Sequence, residues 1–124
     1  MGRFLNKGNG KFAELAASKY FVDKSGLINK LLEKDGTEKF ICNSRARRFG
    51  KSVTADMLVA YFSKGADSRE LFALLNCEKN KLFVENMNQY DTIFMDIQAQ
   101  FVQAKMKKLE PNNYVHKLLL QELR

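Results

Sequence analysis

Phe40-Ile41-Cys42-Asn43-Ser44-Arg45-Ala46-Arg47-Arg48-Phe49-Gly50-Lys51-Ser52 is the stretch on which the reading of this chain turns. A short apolar run leads into a basic loop, the loop ends in Gly-Lys-Ser, and a helical pattern follows at once. Strand, loop, Gly-Lys-Ser and helix in that order are the layout of a phosphate-binding P-loop. Backbone N–H groups of such a loop and of the first helical turn point at a polyphosphate, and the helix dipole favours its negative charge. Lys51 is then placed to reach the β- and γ-phosphates, and the Ser52 hydroxyl to ligate Mg²⁺. The usual pattern carries a glycine five residues before the Gly-Lys pair; here that position holds Arg45. The tripeptide alone also reads as an ordinary helix start with Gly50 in a turn, so its surroundings carry the argument.

Those surroundings alternate short helical and apolar segments. Met1–Gly10 holds three glycines and little pattern, and is expected to be loose. Phe12, Leu15 and Ala16 recur at helical spacing, which predicts a short helix over Lys11–Ser18. Tyr20-Phe21-Val22 is a brief extended piece, Asp23 or Ser25 can cap a helix, and Leu27, Ile28, Leu31 and Leu32 form one apolar face that ends near Gly36. Lys39–Asn43 is expected to be the first core strand and Lys51–Ser63 the helix after the loop, with Val53, Met57, Ala60 and Tyr61 on one face. Lys64-Gly65 closes it. Ser68–Leu75 reads as helical, whereas 76–90 is polar and Asn-rich with an unassigned Leu82-Phe83-Val84 cluster. Thr92-Ile93-Phe94-Met95-Asp96-Ile97 reads as a buried parallel strand. Phe101–Leu109 reads as a helix, and another starts at Pro111 with Tyr114, Val115, Leu118, Leu119 and Leu123 on its apolar side. That pattern still runs at Arg124 without a cap, so the chain is expected to be truncated.

Composition narrows the class. With 124 residues the chain is one domain or part of one. No apolar run reaches the length of a membrane span, and Met1–Gly10 has no apolar core of a signal peptide. Cys42 and Cys77 are unpatterned and read as two buried thiols in a reducing cytoplasm. The net charge is +7, and its densest part is residues 41–64, with five Lys/Arg against one acidic residue. Such a patch suits a nucleotide polyphosphate, and it equally suits nucleic acid. His116 has no Cys, Asp or Glu at ligand spacing.

The motifs Tyr20-Phe21-Val22-Asp23-Lys24-Ser25, Leu27-Ile28, Leu31-Leu32, Arg45-Ala46-Arg47-Arg48-Phe49-Gly50-Lys51-Ser52, Met57-Leu58 and Phe62 resemble the bacterial AAA-ATPase-like family. Its members read YxVDKTxLIxxLL, then RPRRFGK[ST], then an ML…FF helix. The family's own loop lacks the first glycine, so Arg45 fits it, while Ala46 replaces its proline. The resemblance spans about Phe12 to Asp96. It implies an α/β fold, the N-terminal part of a P-loop NTPase core with parallel strands and flanking helices, over residues 39–124 after an N-terminal helical segment at 1–38. It also implies that Asp96 lies near a strand's carboxyl end, close to the site without being the main metal ligand, and that a nuclease-like domain often follows in the parent protein. In related ATPases the segment at Tyr20–Asp23 helps form an adenine pocket, although Tyr20 and Phe21 read more simply as core.

The functional expectation is an ATP-binding domain of an AAA-like ATPase that uses ATP and Mg²⁺. Arg45, Ala46, Arg47, Arg48, Phe49, Gly50, Lys51, Ser52 and Val53 bind the nucleotide, Ser52 holds the metal and Lys51 serves catalysis. In such sites catalysis is chiefly positioning and charge stabilisation of the γ-phosphoryl group. No acidic pair that could polarise water is identifiable, so hydrolysis is expected only of a longer protein. Two alternatives remain open: a basic module in which Arg45, Arg47, Arg48 and Lys51 hold nucleic-acid phosphates, and a degenerate P-loop that only scaffolds.

Overall fold

A computed structural model of the chain describes residues 4–34, 38, 40–44 and 50–123. Among them are seven helices: α1 (Gly10–Ala16), α2 (Gly26–Leu32), α3 (Lys51–Phe62), α4 (Arg69–Ala73), α5 (Lys81–Asn86), α6 (Ile97–Met106) and α7 (Pro111–Leu123). The expected α/β architecture is corrected here: the fold is mostly helical, and no sheet occurs among the described residues. Strand-like pairing is limited to two isolated bridges, Leu5 with Ile93 (antiparallel) and Ser63 with Tyr90 (parallel).

Both predicted strands fail for the same physical reason. A short apolar run signals burial and not a hydrogen-bonding partner, and periodicity cannot separate a buried strand from other apolar segments. Among the described residues the first run has no strand partner, and Cys42 within it is exposed, which corrects its reading as buried. Phe40 and Ile41 lie 89% and 52% exposed, and Phe40–Ser44 has no regular structure; Lys39 lies outside the described residues. Among the described residues the second run pairs with the segment Phe4–Asn6. Asn6 N–H donates to Thr92 O at 2.7 Å and Phe94 N–H to Phe4 O at 2.8 Å. The run then ends at Asp96, whose carboxylate accepts from Ala99 N–H at 3.1 Å and starts α6, as an N-cap does. The same contacts correct the expectation of a loose N-terminus. Phe4 is buried, and the N–H groups of Phe4 and Leu5 both donate to Glu122 Oε1 on α7, at 2.5 and 2.7 Å.

The core forms around α3. Its 12 residues place Met57, Ala60 and Tyr61 in one cluster with Phe12 of α1, Ile28 of α2, Phe72 of α4, Cys77, Phe83 of α5 and Met87. Phe12 stacks on Phe72 with ring centres 5.6 Å apart. Tyr61 meets Phe72 edge-on at 5.7 Å and Phe83 at 4.8 Å. Its hydroxyl donates to Phe83 O at 2.6 Å, so burial leaves no polar group unpaired. Burial, together with Tyr90 and Cys77 nearby, pushes the Tyr61 phenol well above its usual range. The Leu82-Phe83-Val84 cluster thus belongs to a helix, α5, capped by Asn80 Oδ1 accepting from Phe83 N–H at 2.9 Å. Apart from this core, α6 and α7 form a helical hairpin that buries Ala104 and Tyr114. The turn between them follows the Schellman pattern: Lys108 N–H donates to Lys105 O, Leu109 N–H donates to Ala104 O, and Lys108 sits at φ +55°.

The C-terminal end of α3 would leave several carbonyls unpaired, and one side chain gathers them. Asn88, in the left-handed region at φ +58°, donates through Nδ2 to Ala60 O and Ser63 O, each at 3.0 Å, and to Tyr61 O at 3.3 Å. Its Oδ1 accepts from Ser68 N–H at 3.0 Å. Ser68 Oγ donates to the same Ala60 O at 2.7 Å.

Removing this clasp takes the Nδ2 donor from Ser63 O and leaves Ala60 O with Ser68 Oγ and Tyr61 O with Asn88 N–H; a buried group left unpaired costs about 1–3 kcal/mol. Asn88→Ala is expected to lower stability by about 2–3 kcal/mol. Asn88→Asp is expected to be at least as damaging, because a carboxylate cannot donate to the three carbonyls. Urea midpoints at an unchanged m-value check this; a midpoint within error of the parent would remove Asn88 from the account.

Candidate functional site

The Gly-Lys-Ser tripeptide is the start of α3. Gly50 is its N-cap residue at φ +78°, in the left-handed region, where glycine alone is comfortable. Its carbonyl is held twice by Thr54, through N–H and through Oγ1, both at 2.9 Å. Gly50 supplies no side chain to satisfy the first N–H groups of the helix. The first N–H groups of the helix and the positive end of its dipole lie at this end. Lys51 and Ser52 are exposed on this first turn, and Val53 is half-buried behind them. Arg45, Ala46, Arg47, Arg48 and Phe49 lie outside the described residues.

A cavity of about 410 Å³ opens beside this helix start. Phe12 and Leu15 of α1, the Tyr20-Phe21-Val22 segment, and Val53 and Met57 of α3 form its apolar walls, and Lys24, Gly50 and Thr54 bring polar groups to it. Phe21 packs edge-on against Phe12 at 5.7 Å and is partly buried, as a core residue would be. Tyr20 is 82% exposed, which corrects its reading as core. Lys24 approaches Gly50 closely: a Cβ at Gly50 would lie 3.1 Å from Lys24 Nζ.

The 20–25 segment is held in place by Asp23. Its Oδ1 accepts from Ser25 N–H at 2.8 Å and Ser25 Oγ at 2.6 Å, and its Oδ2 from Asn76 N–H at 2.6 Å. Ser25, expected as a cap for α2, is the N-cap residue, but its hydroxyl bonds Asp23 and not the helix. A second tie lies one turn on, where Asn29 and Glu78 exchange hydrogen bonds at 2.7 and 2.9 Å. Burial opposes ionisation of Asp23. The hydrogen bonds from the Ser25 hydroxyl, Asn76 N–H and Ser25 N–H outweigh it, with help from the Lys79 charge, and hold the carboxyl below its ordinary value.

The structure thus brings Gly50, Lys51, Ser52 and Val53 to one helix start beside a cavity. Asp96 is instead engaged as the cap of α6. Two contributors went unassigned in the sequence. Thr54 was legible in principle, as a Thr four residues after a glycine at a helix start can bond back to its carbonyl. Lys24 belongs to the Tyr20–Ser25 motif, but no sequence signal says which distant residue it approaches. Among the described residues, no group of three or more His, Cys, Asp and Glu side chains could hold a metal, and no helix is long and apolar enough to cross a membrane.

The motifs around this helix start are those of an AAA-type family. Residues 7–123 match the family model described as Predicted AAA-ATPase, and the chain belongs to that family. No curated protein and no solved structure matches the chain.

Two outcomes test this geometry. Gly50→Val is expected to destabilise the chain by about 1–3 kcal/mol, because a β-branched residue must occupy the left-handed region, with Gly50→Ala less damaging. Thermal or urea unfolding checks the order, and equal stability of all three proteins would show that Gly50 does not need its positive φ. For Asp23, a depressed carboxyl pKa gives stability that is present above the unfolded value near 4 and lost as pH falls through the lower folded value. Acid titration of stability below about pH 4 is therefore expected to be shallower in Asp23→Asn than in the parent.

Proposed function

We propose that the start of α3 binds the phosphates of a nucleoside triphosphate, ATP in the first instance, and that the adjoining cavity receives its base. The single observation that carries the reading is Gly50 at φ +78° opening a 12-residue helix directly into Lys51 and Ser52. Outward N–H groups, the helix dipole and an ammonium are what a polyphosphate requires. The cavity walls are apolar, as a nucleobase prefers, and membership of the Predicted AAA-ATPase family supports the same ligand.

The residues present fit the group. Ser52 offers one hydroxyl oxygen at the exposed first turn, in keeping with Mg²⁺ bound through few protein oxygens plus substrate phosphates. When bound, Mg²⁺ supplies charge neutralisation across the phosphates. Lys51 orients the outer phosphates and balances their charge, the Gly50 backbone allows close approach, and Thr54 holds the Gly50 carbonyl away from the anion. Arg45, Arg47 and Arg48 precede this turn in sequence and add positive charge to the segment that leads into it.

Lys51→Ala removes one charge-assisted contact, worth about 1.5–3 kcal/mol. Its expected effect is a loss of ATP affinity of roughly tenfold to a hundredfold, with the unfolding midpoint unchanged because the side chain is exposed. Calorimetric titration with ATP and Mg²⁺ makes the comparison; equal affinity in variant and parent would overturn the assignment.

A further inference from the structure

Two lysines from distant parts of the chain stand near the start of α3, and they differ in their relation to the cavity. Lys24 lines the cavity together with Gly50, Val53 and Thr54, whereas Lys51 and Ser52 are not among its walls. Lys24 Nζ lies so close to Gly50 that a Cβ there would come within 3.1 Å of it. The ammonium thus stands where the apolar cavity gives way to the helix start.

Its place is held from both sides. Asp23, immediately before it, is fixed by hydrogen bonds from Ser25 and from Asn76 N–H. Ser25, immediately after it, is fully buried. The Lys24 carbonyl accepts from Leu27 N–H at 3.0 Å in the first turn of α2. The backbone of Lys24 is therefore anchored, and its long side chain reaches the cavity mouth from a fixed root. Asp23 is in this sense a positioning residue.

We infer that Lys24 is a second phosphate-binding residue of this site, holding the phosphate nearest the nucleoside, while Lys51 serves the outer phosphates. This rests on the reading of the α3 start as a nucleotide site. A nucleoside seated among Phe12, Tyr20, Phe21 and Val53 runs its phosphate chain past Lys24 before it reaches the exposed face of α3. An ammonium is a compact point charge with three donors, suited to a phosphate oxygen at that junction. The two lysines consequently sort ligands differently. Lys24 acts on any nucleotide that carries an α-phosphate, and Lys51 acts on those with further phosphates.

The test is calorimetric titration of the parent, Lys24→Met, Lys24→Arg and Lys51→Ala with ATP, AMP and adenosine, alongside circular dichroism to compare folding. The expected result is about a tenfold loss for AMP and ATP in Lys24→Met, no change for adenosine, and partial recovery in Lys24→Arg. Lys51→Ala should lose affinity for ATP and keep that for AMP. If Lys24→Met weakens adenosine as much as AMP, Lys24 merely shapes the cavity and the inference falls. If Lys24→Met matches the parent on AMP and ATP while Lys51→Ala is impaired on ATP, the inference falls and the nucleotide reading stands. If the parent binds none of the ligands, or Lys51→Ala binds ATP like the parent, the reading falls and takes the inference with it.

Discussion

Tyr61 has no exposed surface, lies against Phe62, Phe72 and Phe83, and donates its hydroxyl to Phe83 O. Burying a ring of that size contributes a large apolar area, and the paired hydroxyl removes the penalty that an unpaired one would carry. The constraint reaches beyond one residue. Phe12, Ile28, Phe72 and Phe83 come from four short helices. Helices of five to seven residues are too short to persist alone in water. They are stable here because each presents one large side chain to the core that Met57, Ala60 and Tyr61 of α3 share. The longer helix is thus the template, and the shorter ones are ordered by burial against it.

The same arrangement explains why one end of α3 can serve a ligand. Its C-terminal carbonyls are collected by Asn88 and Ser68, and its middle is buried. Lys51 and Ser52, on the N-terminal turn, are its exposed residues. A helix fixed at its middle and far end presents its first N–H groups in a rigid direction, which is what preorganised anion binding needs. A buried carboxylate adds to the hold: Asp56, on the turn after Ser52, pairs with Lys11 of α1 at 3.5 Å. The 20–25 segment is anchored separately, through Asp23 and Asn76, so the cavity lies between two independently fixed walls.

Helices were legible in the sequence where their apolar residues recur at helical spacing. The expected Lys51–Ser63 is observed as Lys51–Phe62, Lys11–Ser18 as Gly10–Ala16, and the helix begun by Pro111 runs to Leu123. Strands were not legible, since the Phe40-Ile41 and Ile93-Phe94 runs say apolar without saying what each pairs with. Of the candidate site, Gly50, Lys51, Ser52 and Val53 could be read because they are contiguous, and their helix start follows from local chemistry. Lys24, the cavity and the Asn88 clasp could not, for each depends on residues 25 or more positions away.

By itself the sequence determined that a glycine precedes a lysine and a serine at the head of a helix, and that the surrounding motifs are those of an AAA-type family. Both are local properties: backbone conformation at Gly50 and side-chain type at fixed spacing are set by near neighbours. Only the tertiary structure decided that Phe40–Ser44 forms no strand, that Phe4 and Leu5 are tied to Glu122, and that Lys24 stands beside Gly50. Those outcomes depend on which distant groups satisfy one another's hydrogen bonds and fill one another's apolar surface. A single chain read in order carries no record of that pairing.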